Sequence, residues 1–240
     1  MRLSSLCAAA VTAILASGAG VAEGGTVYIG SGLDSDNRAV SGSVDVTFDA
    51  NANTLTLVLT NTTAYTYCAA ELLTAFRFDL TGVTGNGTLS SAWAYSRDVD
   101  TNGVYDDSDD LLNLLIPTKT WELVKNDGDP FSLQFTPNAE FALLGQAESD
   151  NNYSTANGSI KGNNGHNPFA RQTATFVISF TDVTASAAIT DLDLRFGTSF
   201  AGSVTPVVVV PLPPAVLLGL GLMGGLGAVR AIRRRRRPEF

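Results

Sequence analysis

Residues 43–61 read SVDVTFDANANTLTLVLTN. Val44, Val46 and Phe48 alternate with polar neighbours, and Leu55, Leu57 and Leu59 do the same. A period of two sends every second side chain to one face, as in a half-buried strand and unlike a helix. Between the two runs lie Asp49, Asn51 and Asn53, residues that favour turns. The stretch therefore predicts a β-hairpin whose apolar faces share one core.

The same alternation recurs along the chain. Phe76, Phe78 and Leu80 share a face, as do Phe131, Leu133 and Phe135. Ala174, Phe176, Ile178 and Phe180 form another set, and Leu192, Leu194 and Phe196 alternate with charges. Short strands separated by polar loops predict an all-β fold, an antiparallel β-sandwich of jelly-roll-like type, over residues 23–205. Residues 148–169 read as a long loop or insertion.

Charge narrows the partners. Residues 23–210 hold 22 Asp and Glu against 8 Lys and Arg, a balance of −14. Such a surface repels nucleic acid and anionic lipid and favours cations. Cys68 is the single cysteine of this segment, so no disulfide can form within it.

Both ends read as addresses. Residues 1–22 combine Arg2, an apolar run and small residues ending at Ala22, which predicts a signal peptide cut after Ala22. Residues 206–240 carry a three-part pattern. Pro211, Pro213 and Pro214 interrupt any preceding helix, because proline lacks the amide donor and clashes with the turn before it. From Leu212 to Val229 there are 18 uncharged residues, a helix of about 27 Å at ~1.5 Å per residue, enough for a thin hydrocarbon core. Arg230, Arg233, Arg234, Arg235, Arg236 and Arg237 follow, and positive residues are retained on the cytoplasmic side. The acidic domain is then expected outside.

Val210-Pro211-Leu212-Pro213, the apolar helix over 212–229 and the arginine cluster resemble the PEP-CTERM sorting signal in its VPLPA-like variant. Pro214 departs from the alanine usual in that variant. The resemblance implies an exported protein of a Gram-negative bacterium, held first in the inner membrane by residues 212–229. An exosortase is implied as processing partner, with release to the cell surface or extracellular matrix. Association with exopolysaccharide or biofilm is a further implication of the family, which supplies no catalytic residues to carry over.

One loop carries candidate metal chemistry. In DVDTNGVYDDSD, Asp98, Asp100 and Asn102 fall at positions 1, 3 and 5 of a calcium loop, with Gly103 at 6. The Val104 carbonyl takes position 7, Asp106 position 9 and Asp109 position 12. Calcium takes six to eight hard oxygens, and glycine permits the sharp turn that gathers them. The segment resembles a single dockerin or EF-hand loop, and DDLLNLLI after it predicts a short apolar helix. A solvated acidic hairpin without metal is the other reading.

Enzyme signatures are absent. The one histidine, His166, sits among turn residues, and G-x-S-x-G and H-E-x-x-H do not occur. Trp93 and Tyr95 share a strand face, and Tyr65 and Tyr67 another; such pairs can serve a core or a sugar platform. Asn61-Thr62-Thr63 matches the N-x-[ST] pattern by composition. The expectation is a non-enzymatic, calcium-stabilised surface protein. A carbohydrate-binding module is the alternative, with a glycan-active enzyme behind it.

Overall fold

The hairpin forms as the alternation predicts. Strand β2 (Ala39–Asp49) pairs antiparallel with β3 (Thr54–Asn61), setting Val44 opposite Leu59, Val46 opposite Leu57 and Phe48 opposite Leu55. Leu55, Leu57 and Leu59 are fully buried, each contributing roughly 1.5–3 kcal/mol. The turn is closed by Asp49, whose Oδ1 accepts the Asn51 and Ala52 N–H groups at 2.8 Å. Asn53 takes the left-handed conformation at φ 55°, which asparagine tolerates.

This computed structural model describes residues 25–34, 36–115, 121–125, 131–135, 141–148, 152–163, 165–197 and 203–204. The side chains of residues 108, 109, 132–135, 203 and 204 are outside that description. Around the first hairpin lie β1 (Thr26–Leu33), β4 (Leu73–Thr84), β5 (Thr88–Val99) and β6 (Tyr105–Asn113). They are followed by β7 (Trp121–Val124), β8 (Phe131–Phe135), β9 (Leu143–Leu144), β10 (Phe169–Ser179), β11 (Asp182–Phe196) and β12 (Ser203–Val204). The one 3-10 turn among the described residues, Ala69–Glu71, precedes β4.

Hydrogen bonds join these strands into one sheet along the path β1-β2-β3-β10-β9-β4-β11-β12. The pairings are antiparallel except between β9 and β10. Two hairpins branch off, β5–β6 from β10 and β7–β8 from β4. The ends of the path meet, β1 against β12 and β2 against β11, so the sheet curls nearly into a barrel. Aromatic rings fill the space between facing strands. Trp121 of β7 lies 4.9 Å from Phe176 of β10, and Phe131 of β8 lies 5.8 Å from both Phe78 and Phe180.

The all-β, antiparallel expectation holds. The two faces are not separate sheets, however, because β9 stitches them together through Leu143, paired with Leu73 on one side and Ala170 on the other. One expectation fails outright. The short helix after the acidic loop is strand β6, which runs through Asn113 paired to β5. Its burial has period two, with Leu112 half-buried and Leu114 buried while Leu111 and Asn113 are exposed. The predicted 148–169 loop is irregular over its described residues, turning through Ser154, Ser159 and Gly165.

Candidate functional site

The acidic loop is a tight hairpin between β5 and β6. Asp100 and Val104 close it through Asp100 N–H to Val104 carbonyl at 2.9 Å, and Gly103 N–H reaches the Asp100 carbonyl at 3.1 Å. Gly103 has φ 87°, the left-handed residue that ends a three-residue hairpin loop. This glycine therefore follows from hairpin geometry as well as it would from a calcium loop. Asp100 Oδ1 accepts the Asn102 and Val104 N–H groups at 2.8 Å, which turns that oxygen toward the backbone.

The 12-residue span expected to wrap calcium is strand at both ends, β5 to Val99 and β6 from Tyr105. Asp98 and Asp106 are cross-strand partners and both are exposed. The Val104 carbonyl is engaged by Asp100, Asn102 is exposed, and the Asp109 side chain is outside the described residues. Among the described residues, no three acidic groups of this hairpin bring ligand atoms together within 4.8 Å.

What the acidic strand does hold is an arginine. Arg97 is buried, donating from Nε to Asp107 Oδ1 at 2.6 Å and from Nη2 to Asp107 Oδ2 at 3.0 Å. Its Nη1 donates to the Tyr153 hydroxyl at 2.9 Å, which in turn donates to the Gly145 carbonyl at 2.8 Å. The guanidinium also lies 3.9 Å from the centre of the Tyr105 ring, a cation–π contact. Arg171 reaches Asp107 from β10 at 3.3 Å. Burial pushes the Tyr153 phenol up to about 12, against the pull of Arg97.

Beside this network opens a cleft of about 420 Å³, lined by Tyr65, Arg97, Tyr105, Gln146, Glu148 and Gln172 among others. Glu148 accepts from the Thr155 hydroxyl, from Thr155 N–H at 2.8 Å and from the Ser154 hydroxyl at 3.0 Å. The Thr155 hydrogen bonds hold its carboxyl below the usual range, so it stays ionised.

Further along β5, Trp93 and Tyr95 stand on the surface, 37% and 46% exposed, their rings edge to face at 6.3 Å. Leu111, opposite Tyr95 on β6, is 60% exposed. These rings do not serve the core. Tyr65 and Tyr67 share no strand face either, lying in the segment between β3 and β4. Tyr65 is exposed, and Tyr67 lies under the Arg38 guanidinium at 3.9 Å. Asn61 is fully buried, donating to the carbonyls of Glu71 at 3.0 Å and Leu143 at 2.8 Å, so its match to a glycosylation pattern has a structural explanation. His166 is half-buried and stacks near Phe169 at 6.3 Å.

One cluster escaped the sequence reading. Asp34 and Asp36, between β1 and β2, meet Cys68, just before the 3-10 turn, with one ligand-capable atom from each within 4.8 Å. The aspartates are two residues apart, but 32 residues separate Asp36 from Cys68, so no spacing motif announces the set. Burial pushes the Cys68 thiol above its ordinary range, and the nearby carboxylates add to the shift.

Ala22, Val210, Pro211, Leu212, Pro213, the 212–229 span, Arg230 and Arg233 to Arg237 all lie outside the described residues. Among the described residues no helix is long and apolar enough to cross a membrane. Comparison with protein-family models, with curated proteins and with solved structures finds no match to this chain.

Proposed function

We propose that this chain is an exported, non-enzymatic surface or extracellular-matrix protein that binds polysaccharide through the β5–β6 face. The observation that carries the binding is the exposure of Trp93 and Tyr95 side by side, with Leu111 beyond them. Exposed aromatic rings offer flat apolar surface to the C–H face of a sugar ring. Gln146, Glu148 and Gln172 in the cleft supply the amide and carboxylate groups that hydrogen-bond hydroxyls. In this reading the body is a jelly-roll-like scaffold that displays one aromatic face.

Delivery rests on the ends of the sequence. Residues 1–22 direct export, and the Val210–Pro213 motif, the 212–229 helix and the arginines form an exosortase signal of PEP-CTERM type. Processing frees the chain from the inner membrane of a Gram-negative cell for the surface or matrix. Calcium enters as a counter-ion for the facing Asp98 and Asp106, since like charges directly opposite on paired strands destabilise the ladder.

Affinity electrophoresis in gels containing purified matrix exopolysaccharide tests the binding. The wild type is retarded, and Trp93→Ala loses about 1–2 kcal/mol, or roughly 5–30-fold in affinity. Equal mobility of the two proteins rules out the aromatic face. Fractionation of wild-type and exosortase-lacking cells with C-terminal sequencing tests delivery. A surface form ending near Val210–Pro213 is expected, and one retaining residues 230–240 overturns it.

A further inference from the structure

Asp34 is a carboxylate in a costly position. It is 7% exposed, and its Oδ1 accepts the N–H groups of Asp36 and Arg38, both at 2.8 Å. Its Oδ2 is buried and has no hydrogen-bond partner among the described residues. An ionised oxygen buried without a donor loses its hydration and gains nothing in exchange, so such groups are found paired or bound to metal.

Cys68 stands beside it, 5% exposed, its thiol 3.8 Å from Asp36 Oδ2. With Oδ1 of Asp34 committed to the backbone, Oδ2 is the oxygen left to ligate. Glu71 adds a third carboxyl group, its Oε2 accepting the Tyr67 and Cys68 N–H groups. The nearest positive group, Arg38, is 4.0 Å from Glu71 Oε1 and partly exposed. Carboxyl groups therefore outnumber cationic ones among the described residues at this point.

We propose that Asp34, Asp36 and Cys68 form a binding site for a divalent cation of borderline softness, zinc. Two carboxylates and a thiolate are a zinc donor set, whereas calcium and magnesium need more oxygens and gain nothing from sulfur. Around tetrahedral zinc, a sulfur at ~2.3 Å and an oxygen at ~2.0 Å stand about 3.5 Å apart. Sγ and Asp36 Oδ2 are already close to that separation at 3.8 Å. Binding breaks the Cys68 S–H bond, sends the proton to solvent and forms the S–Zn bond, with no change of oxidation state. Asp36 is exposed, which gives the ion a path in and leaves room for water as fourth ligand.

The site stands apart from the glycan reading, and its test uses no glycan. The full chain, purified in mild detergent, is titrated with Zn²⁺ alone against a chromogenic chelator, and with Co²⁺ alone in the spectrophotometer. One equivalent of Zn²⁺ binds, and Co²⁺ gives an intense near-ultraviolet thiolate-to-metal band. Cys68→Ser abolishes that band. Asp36→Asn, at an exposed position that leaves the fold intact, weakens Zn²⁺ by more than the roughly 10–100-fold that losing an outer-shell partner costs. Asp34→Asn keeps the Oδ1 acceptor and loses affinity to a similar extent. No stoichiometric Zn²⁺, a cobalt complex without the thiolate band, or Asp36→Asn binding like wild type each overturns the proposal.

Discussion

Arg97 grips Asp107 across the β5–β6 ladder with two hydrogen bonds, at 2.6 and 3.0 Å, while its third nitrogen reaches Tyr153. This ties the branching hairpin to the 152–163 segment and to β10, which contributes Arg171.

Arg97→Ala removes both hydrogen bonds from the guanidinium to Asp107, leaving it Arg171 alone, and takes the donor from the Tyr153 hydroxyl. Breaking a buried ion pair from one side costs about 3–5 kcal/mol, and the partial exposure of Asp107 puts the expected loss near the lower figure. Urea unfolding reads it. Arg97→Lys restores the charge without the two-pronged geometry and recovers only part of the loss. A loss below about 1 kcal/mol for Arg97→Ala contradicts the structural role.

Tyr153 predicts an alkaline limb in the stability curve. Its folded pKa of about 12 exceeds the ordinary tyrosine value of 10.0. The folded state therefore holds the phenolic proton more tightly. The associated stability is fully present below pH ~10 and is lost as pH rises from there through about 12. Two pH units correspond to roughly 2–3 kcal/mol. Tyr153→Phe removes this limb, and at neutral pH it costs about 1–2 kcal/mol for the lost hydroxyl. Denaturant midpoints from pH 9 to 12 compare the two proteins.

Gly103 admits no side chain. A Cβ there would lie 2.5 Å from the Tyr153 carbonyl oxygen, and φ is 87°. Gly103→Ala is expected to lower stability by more than ~1 kcal/mol and to loosen the hairpin against residues 152–154. Faster amide exchange at Tyr153, whose N–H donates to the Gly103 carbonyl at 2.7 Å, reports the loosening.

Asp98→Asn works in the opposite direction. Removing one of two facing carboxylates stabilises the metal-free chain by roughly 0.2–1 kcal/mol at low ionic strength, and salt shrinks the gain. If calcium acts at this pair, millimolar calcium raises the wild-type melting temperature and leaves the variant's unchanged. Equal calcium responses in the two proteins discard that role.

The strands were legible because alternation is local. Val44 to Phe48, Leu55 to Leu59, Phe76 to Leu80 and Ala174 to Phe180 each mark their buried face within a few residues. Leu111 to Leu115 misled because a short apolar run fits a helix or a strand, and only the partner β5 decides between them. The acidic loop is ambiguous for a related reason, since a hairpin loop and a calcium loop both want aspartate near the start and glycine at the bend. Arg97 with Tyr153, and Asp34 with Cys68, are pairings made by the folded sheet. No window of sequence contains both partners.

Among the described residues, strand β6 pairs with β5 alone. An edge strand can offer its outer row of peptide groups to the backbone of another molecule, the geometry by which sheets accrete into fibres. Asp106 and Asp110 are exposed along this strand, so two copies approaching edge to edge would bring carboxylate toward carboxylate. The acidity that favours cations thus also works against edge-to-edge association of crowded copies.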